Sequence, residues 1–257
     1  MIGLPPEIEA LLTAGFWHAA VVFLRVSAMV SVMPAFGERS VPMRIKVMVS
    51  LAFTLVTAPA VPLISLPDTA MPLLGMTATE AVVGLALGIG IRLFMLALQT
   101  AGSIAAQATS LSQILGGSAA EPIPAMGYVL VVGGIALAIM SGLHVHAARF
   151  MVYSYEIFPA GSLPEARALS HWGTAHVGHA FSLAFLLAAP FVIASMIYNL
   201  ALGVISRAMP QLMVAFVGAP VITFGGVFIL FLAAPFMLSV WRDGLLDFLA
   251  NPLALPQ

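Results

Sequence analysis

Apolar runs of membrane-spanning length constrain this chain more than any other feature. Residues 10–33, 47–66, 76–107, 126–148, 177–205 and 214–241 form such runs. A helix needs about 20 predominantly apolar residues to cross the hydrocarbon of a bilayer. The composition agrees, with 61% hydrophobic and 7% charged residues, against about 25% charged in an average soluble domain. The expected fold class is an all-α integral membrane protein of kinked helical hairpins.

One stretch departs from this pattern. Residues 109–127, TSLSQILGGSAAEPIPAMG, bring hydroxyls, an amide, paired glycines, Glu121 and two prolines between two apolar runs. Irregular backbone exposed to lipid leaves N–H and C=O groups unpaired, at several kcal/mol each. The stretch must therefore lie in water, in protein or in a lumen.

Charge and cysteine usage exclude several function classes. Nine basic against ten acidic residues give a formal net charge of -1, so no basic footprint for nucleic acid exists. The absence of cysteine removes disulfides, iron–sulfur clusters, thiolate zinc sites and cysteine nucleophiles. The start carries Glu7 and Glu9 where a secretory signal carries basic residues, and is read as mature sequence.

The first run contains His18 and Arg25, which must turn toward protein or a water-filled cavity. After a turn at Pro34-Ala35-Phe36-Gly37, the cluster Arg39, Arg44 and Lys46 points to the cytoplasmic side and sets the N-terminus outside. The second run is broken by Pro59 and Pro62. The third holds Glu80 and Arg92, too far apart on one helix to pair at about 1.5 Å rise per residue, so each needs another partner. Gly84 and Gly88 form a GxxxG pair that admits a neighbouring backbone. Residues 149–174 form the longest polar region, with loop signals at Pro159, Gly161 and Pro164. The last two runs read as a hairpin, its second arm kinked at Pro220 and Pro235.

Catalytic and metal sites find little support. His171, His176 and His179 are the densest ligand candidates, but no carboxylate completes a familiar set. His144 and His146, two apart, point about 200° away from each other on a helix. The serines form neither a nucleophile elbow nor a phosphate loop, which leaves an intramembrane hydrolase with His144 as base without its geometry. No cofactor is implied. Fifteen methionines serve packing.

Two blocks carry a family resemblance. Residues 25–59, RVSAMVSVMPAFGERSVPMRIKVMVSLAFTLVTAP, place Arg25, Pro34, Phe36, Gly37, Pro42 and Lys46 at family-like spacing. Residues 199–211, NLALGVISRAMPQ, add Asn199, Arg207, Pro210 and Gln211, and continue through Gly218 and Pro220. Glu80, Gly84, Gly88, Gly102 and Gln107 fit between them. The chain resembles the FliR family of the flagellar protein export apparatus over nearly its whole length.

That resemblance implies a FliP-like part over residues 1–171, including the loop 109–127, fused to a FliQ-like two-helix hairpin over 172–257. It implies a noncatalytic gate subunit that works with FliP-like and FliQ-like partners, and with FlhB-like and FlhA-like export components. The gate would pass unfolded protein substrates through the bacterial inner membrane at the flagellar basal body. An injectisome export gate is the close variant. In this family the equivalent loop projects into the channel. Its plugging role carries over to Ser110, Leu111, Ser112, Gln113, Ile114, Leu115, Gly116 and Gly117. The remaining motif residues become assembly positions, with Arg25 and Glu80 buried between subunits. The family's Gly-His pair is here Gly142-Leu143-His144, a departure. A secondary transporter using Arg25, Glu80 and Arg92 is the competitor from another class, though the halves show no matching broken helices.

Overall fold

The computed structural model describes residues 5–67, 69–110, 125–209 and 214–254, and among them no strand occurs. The chain is all-α. Its helices are α1 (Pro6–Val32), α2 (Met43–Thr57), α3 (Ala70–Ser110), α4 (Ala125–Met140), α5 (Leu143–Ile157), α6 (Ala166–Ala208) and α7 (Val214–Ala250), with a 3-10 turn at Ala58–Ala60 after α2. Among the described residues five helices are long and apolar enough to cross a membrane, or six spans if α4 and α5 count together. This is a multi-pass membrane protein. At 41 and 43 residues, α3 and α6 run about 60 Å each, twice the thickness of a bilayer's hydrocarbon.

Local chemistry explains the ends. Pro6 opens α1, where its missing N–H costs nothing, and Glu7 and Glu9 complement the positive end of the helix dipole. The chain leaves α1 through Ala35, which adopts φ 68°. Gly37 then donates to the Met33 carbonyl at 2.7 Å. A Cβ on Gly37 would lie 2.6 Å from the Ser31 oxygen, so the turn admits no side chain there. Lys46 donates to the Gly37 carbonyl at 2.8 Å, and Phe36 meets Phe53 edge-on at 5.9 Å. Pro42 caps α2, its carbonyl accepting from Ile45 and Lys46.

The structure corrects three readings of the sequence. The run 126–148 is not one helix: α4 stops at Met140 and α5 begins at Leu143, because Gly142 takes a left-handed conformation, φ 79° and ψ 34°, that ends one helix and starts the next. The region 149–174 is mostly helical, with α5 reaching Ile157 and α6 beginning at Ala166. The third helix starts at Ala70, upstream of Met76. Pro190, Pro220 and Pro235 sit inside helices that continue through them.

The chain forms two compact units, residues 1–92 with 141–176 and 246–257, and residues 93–140 with 177–245. In the first, α2 packs against α1 and α5. The extended stretch after the 3-10 turn is tied to α1. His18, buried, donates from Nε2 to the Ala58 carbonyl at 2.8 Å and accepts the Ile64 N–H at Nδ1 at 3.3 Å, while Trp17 donates to the Ser65 carbonyl. In the second unit Trp241 is wholly buried and donates to the Phe94 carbonyl at 2.8 Å. Gly134 lies against the Trp241 ring and Leu98.

Candidate functional site

The first unit is built around a buried ion pair. Arg25 on α1 and Glu80 on α3 are 1% and 0% exposed, buried within this chain and not between subunits as the resemblance implied, because each finds its partners on the chain's own helices. Arg25 Nε donates to Glu80 Oε2 at 2.8 Å and Nη2 to Oε1 at 3.0 Å, a two-point fork. The helices come close enough because Gly84 and Gly88 face α1. A Cβ on Gly84 would collide with the Arg25 carbonyl oxygen, and one on Gly88 with Val32 and, at 2.9 Å, with the Met29 oxygen.

Arg25 reaches further. Its Nη1 donates to the carbonyls of Ser154 at 3.0 Å and Phe158 at 2.9 Å, the C-terminal end of α5, where carbonyls present partial negative charge. The guanidinium carbon lies 3.7 Å from the centroid of the Tyr155 ring, a cation–π contact. Glu80 in turn accepts from the Tyr155 hydroxyl at 3.2 Å and from the Gly161 N–H at 3.0 Å. Gly161 presents that N–H from φ 74°, a conformation that other residues take at a cost. Both carboxylate oxygens and all three guanidinium nitrogens are thus engaged. The arrangement joins α1, α3, α5 and the following loop.

Arg92 pairs with Glu38 at 2.9 Å, and both are partly exposed. The rise argument that separates Glu80 from Arg92 therefore agrees with the partners seen for each. Pro34 is buried, Pro42 exposed, and Arg207 exposed in the last turn of α6. Pro210 and Gln211 lie outside the described residues, as do Leu111, Ser112, Gln113, Ile114, Leu115, Gly116 and Gly117. Ser110 closes α3.

The two stems of the polar interruption are described, and both are tightly packed in the second unit. Gly102 on α3 lies against Gly127 at the start of α4, with no room for a Cβ. Gly226 on α7 faces Thr109 and Met126, the last side chain described before the interruption and one of the first after it. The Ser195 hydroxyl of α6 donates to the Ala108 carbonyl at 2.6 Å. Asn199 donates to the Ser195 carbonyl at 2.8 Å and to its Oγ at 3.1 Å. Tyr198 donates across to the Gly218 carbonyl of α7 at 2.6 Å.

The histidines separate. His176 packs between Trp172, at 4.7 Å, and Phe248, at 5.1 Å, whereas His179 meets Phe94 at 6.4 Å. Among the described residues no group of His, Asp and Glu side chains is arranged to hold a metal ion. Sequence reading missed Ser154, Tyr155 and Gly161 in the ion-pair cluster, and Ser195 beside the loop stem. The inward spacing of Phe150, Met151, Ser154 and Tyr155 was the available signal for the first group. The position of Ser195 one helical turn before Asn199 was the signal for the second.

Comparisons with known proteins identify the family. The family described as "Bacterial export proteins, family 1" matches residues 16–248. The flagellar biosynthetic protein FliR of Caulobacter vibrioides is 36% identical, over 88% of this chain and 91% of its own length. FliR of Escherichia coli K12 is 28% identical over 80% of this chain and 78% of its own length, and that of Bacillus subtilis 26% over 77% and 79%. The chain belongs to the FliR family of bacterial export proteins.

Proposed function

We propose that this chain is a noncatalytic subunit of the flagellar protein export gate, in the inner membrane at the base of the flagellum, where FliP-like and FliQ-like subunits complete the channel. The observation that carries the reading is the family match over residues 16–248, which spans both motif blocks. Residues 1–171 act as the FliP-like part and residues 172–257 as the FliQ-like hairpin. FlhB-like and FlhA-like components deliver unfolded protein. The flagellar assignment is favoured over an injectisome because the matched relatives are named flagellar biosynthetic proteins.

Residues 110–117 plug the channel at rest. Glycines there allow several backbone states, and Leu111, Ile114 and Leu115 offer apolar bulk for a narrow constriction. Burial and full pairing of Arg25 and Glu80 disfavour their use as substrate or proton sites in an autonomous transporter. The chain should copurify with FliP-like and FliQ-like subunits, and deletion of residues 110–117 should make resting membranes leak ions while the complex still assembles. Isolation as a lone chain that moves a small solute across proteoliposomes would overturn the gate reading. Unchanged permeability of assembled deletion complexes would overturn the plug.

A further inference from the structure

The first unit contains an apolar cavity of about 270 Å³, lined by Val83 and Leu87 of α3, Phe158 after α5, Leu169 and Trp172 of α6, and Leu253. Among the described lining residues the one side-chain polar atom is Trp172 Nε1, and it already donates to the Pro252 carbonyl at 2.7 Å. An occupant therefore meets no free hydrogen-bonding side chain inside. The walls are fixed. Arg25 holds the Phe158 carbonyl at 2.9 Å and Glu80 holds the Gly161 N–H at 3.0 Å, so closing the loop onto the space would break the buried cluster. An apolar cavity of about 150 Å³ stays dry and admits benzene. This one is nearly twice as large, more than one aromatic ring fills. An empty void forfeits the dispersion contacts of its lining, and a flexible hydrocarbon chain restores them. Ala168 and Leu253 line the cavity and are exposed, so it opens to the surface at the first turn of α6. The membrane-spanning stretch of α6 begins at Ala166, which puts Glu165 and Arg167 at the end of a span, where charged side chains reach the head-group layer. Both are exposed, and neither forms an ion pair among the described residues. A cation and an anion thus stand beside the opening, complementary to a head group that carries a phosphate and an ammonium.

We propose that this cavity holds one acyl chain of a phosphatidylethanolamine-type phospholipid, with Arg167 on the phosphate and Glu165 on the ammonium. Hydrocarbon fills the space against Trp172, and the two charges select the head.

The test reconstitutes the full chain in phosphatidylglycerol bilayers and titrates in phosphatidylethanolamine whose acyl chain is brominated near its head. Bromine quenches indole fluorescence on contact, and the difference between wild type and Trp172→Phe isolates Trp172 from Trp17 and Trp241. Half-quenching of Trp172 should come at a lipid fraction about two- to fivefold lower than with equally brominated phosphatidylglycerol, which has no ammonium. Glu165→Gln should erase that preference, and Arg167→Gln should weaken quenching by both lipids. Ala86→Phe, which fills the cavity from α3, should abolish the Trp172 signal. Ala168→Phe fills it from α6 and decides the matter if the first variant fails to fold. Quenching that survives filling would show that the lipid lies outside the cavity, and equal quenching by the two lipids would remove the head-group selection; either result overturns the proposal. The Trp172 signal should also persist in the complex copurified with partner subunits. Its loss there would give the cavity to a partner's side chains and overturn the lipid assignment.

Discussion

Removing Arg25 should cost far more than removing the ion pair. Arg25→Met takes from Glu80 its two guanidinium donors and leaves a carboxylate with 0% exposure supported only by the Tyr155 hydroxyl and the Gly161 N–H. It also takes the Arg25 donor from the Phe158 carbonyl and from the Ser154 carbonyl, which keeps the Phe158 N–H. Breaking a buried pair from one side costs about 3–5 kcal/mol, a large part of the roughly 5–15 kcal/mol that holds a typical protein folded. The double substitution Arg25→Met with Glu80→Leu removes the stranded charge as well. It should be less damaging than Arg25→Met alone, with a coupling energy of about 2–3 kcal/mol in a double-mutant cycle. Arg25→Lys should fall between, since an ammonium keeps the charge but not the two-point fork. Thermal unfolding of the detergent-solubilised protein, followed by loss of its monodisperse peak and applied also to Glu80→Leu to close the cycle, ranks the five forms. Additive effects, or a double variant no better than Arg25→Met, would refute the argument that the charges stabilise mainly by neutralising each other.

Three further outcomes follow from the packing. Gly226→Ala should destabilise by about 1–3 kcal/mol through collision with Thr109, whereas Gly225→Ala, with nothing within 4 Å, should stabilise by up to about 1 kcal/mol; the same thermal assay separates them. Gly142→Ala should lose about 1–2 kcal/mol because φ 79° is strained for any side chain, and a wild-type unfolding midpoint would contradict the left-handed bend. His18→Leu should cost about 1–3 kcal/mol and expose residues 58–64 to proteolysis, since it leaves the Ile64 N–H without its His18 partner and the Ala58 carbonyl with the Val61 N–H at 3.3 Å in place of two donors.

Existence and approximate position of the long helices were legible because hydropathy depends only on local sequence and span length. Their ends were not. The polar residues of 149–174 suggested a loop, yet Arg149, Tyr153 and Glu156 occupy the outward side of α5, while Leu143, Ala147, Phe150, Met151, Ser154 and Tyr155 are buried. That burial follows a helical spacing of three and four; prolines and glycine at 159–164 drew the boundary too wide around it. The break at Gly142 was hidden for another reason. A glycine between two apolar helical segments is compatible with a straight helix at about 1 kcal/mol, and only the backbone angle distinguishes that use from a left-handed turn.

Pairing across the chain was legible only in the negative. Helix rise excludes Glu80 with Arg92, but nothing local says that Glu80 meets Arg25 or that Arg92 meets Glu38. Burial supplies the missing physics: a carboxylate on an apolar helix at 0% exposure requires a cation. In the first unit the GxxxG pair identifies the helix that can bring it. Gly84 and Glu80 are one turn apart on α3, so the face that lets the α1 backbone approach is the face that carries the charge. Close approach and charge neutralisation are therefore one feature. A bulky residue at 84 would separate Arg25 from Glu80 as surely as a substitution of either charge, and the sequence motif alone, read as ordinary helix packing, conceals that second consequence.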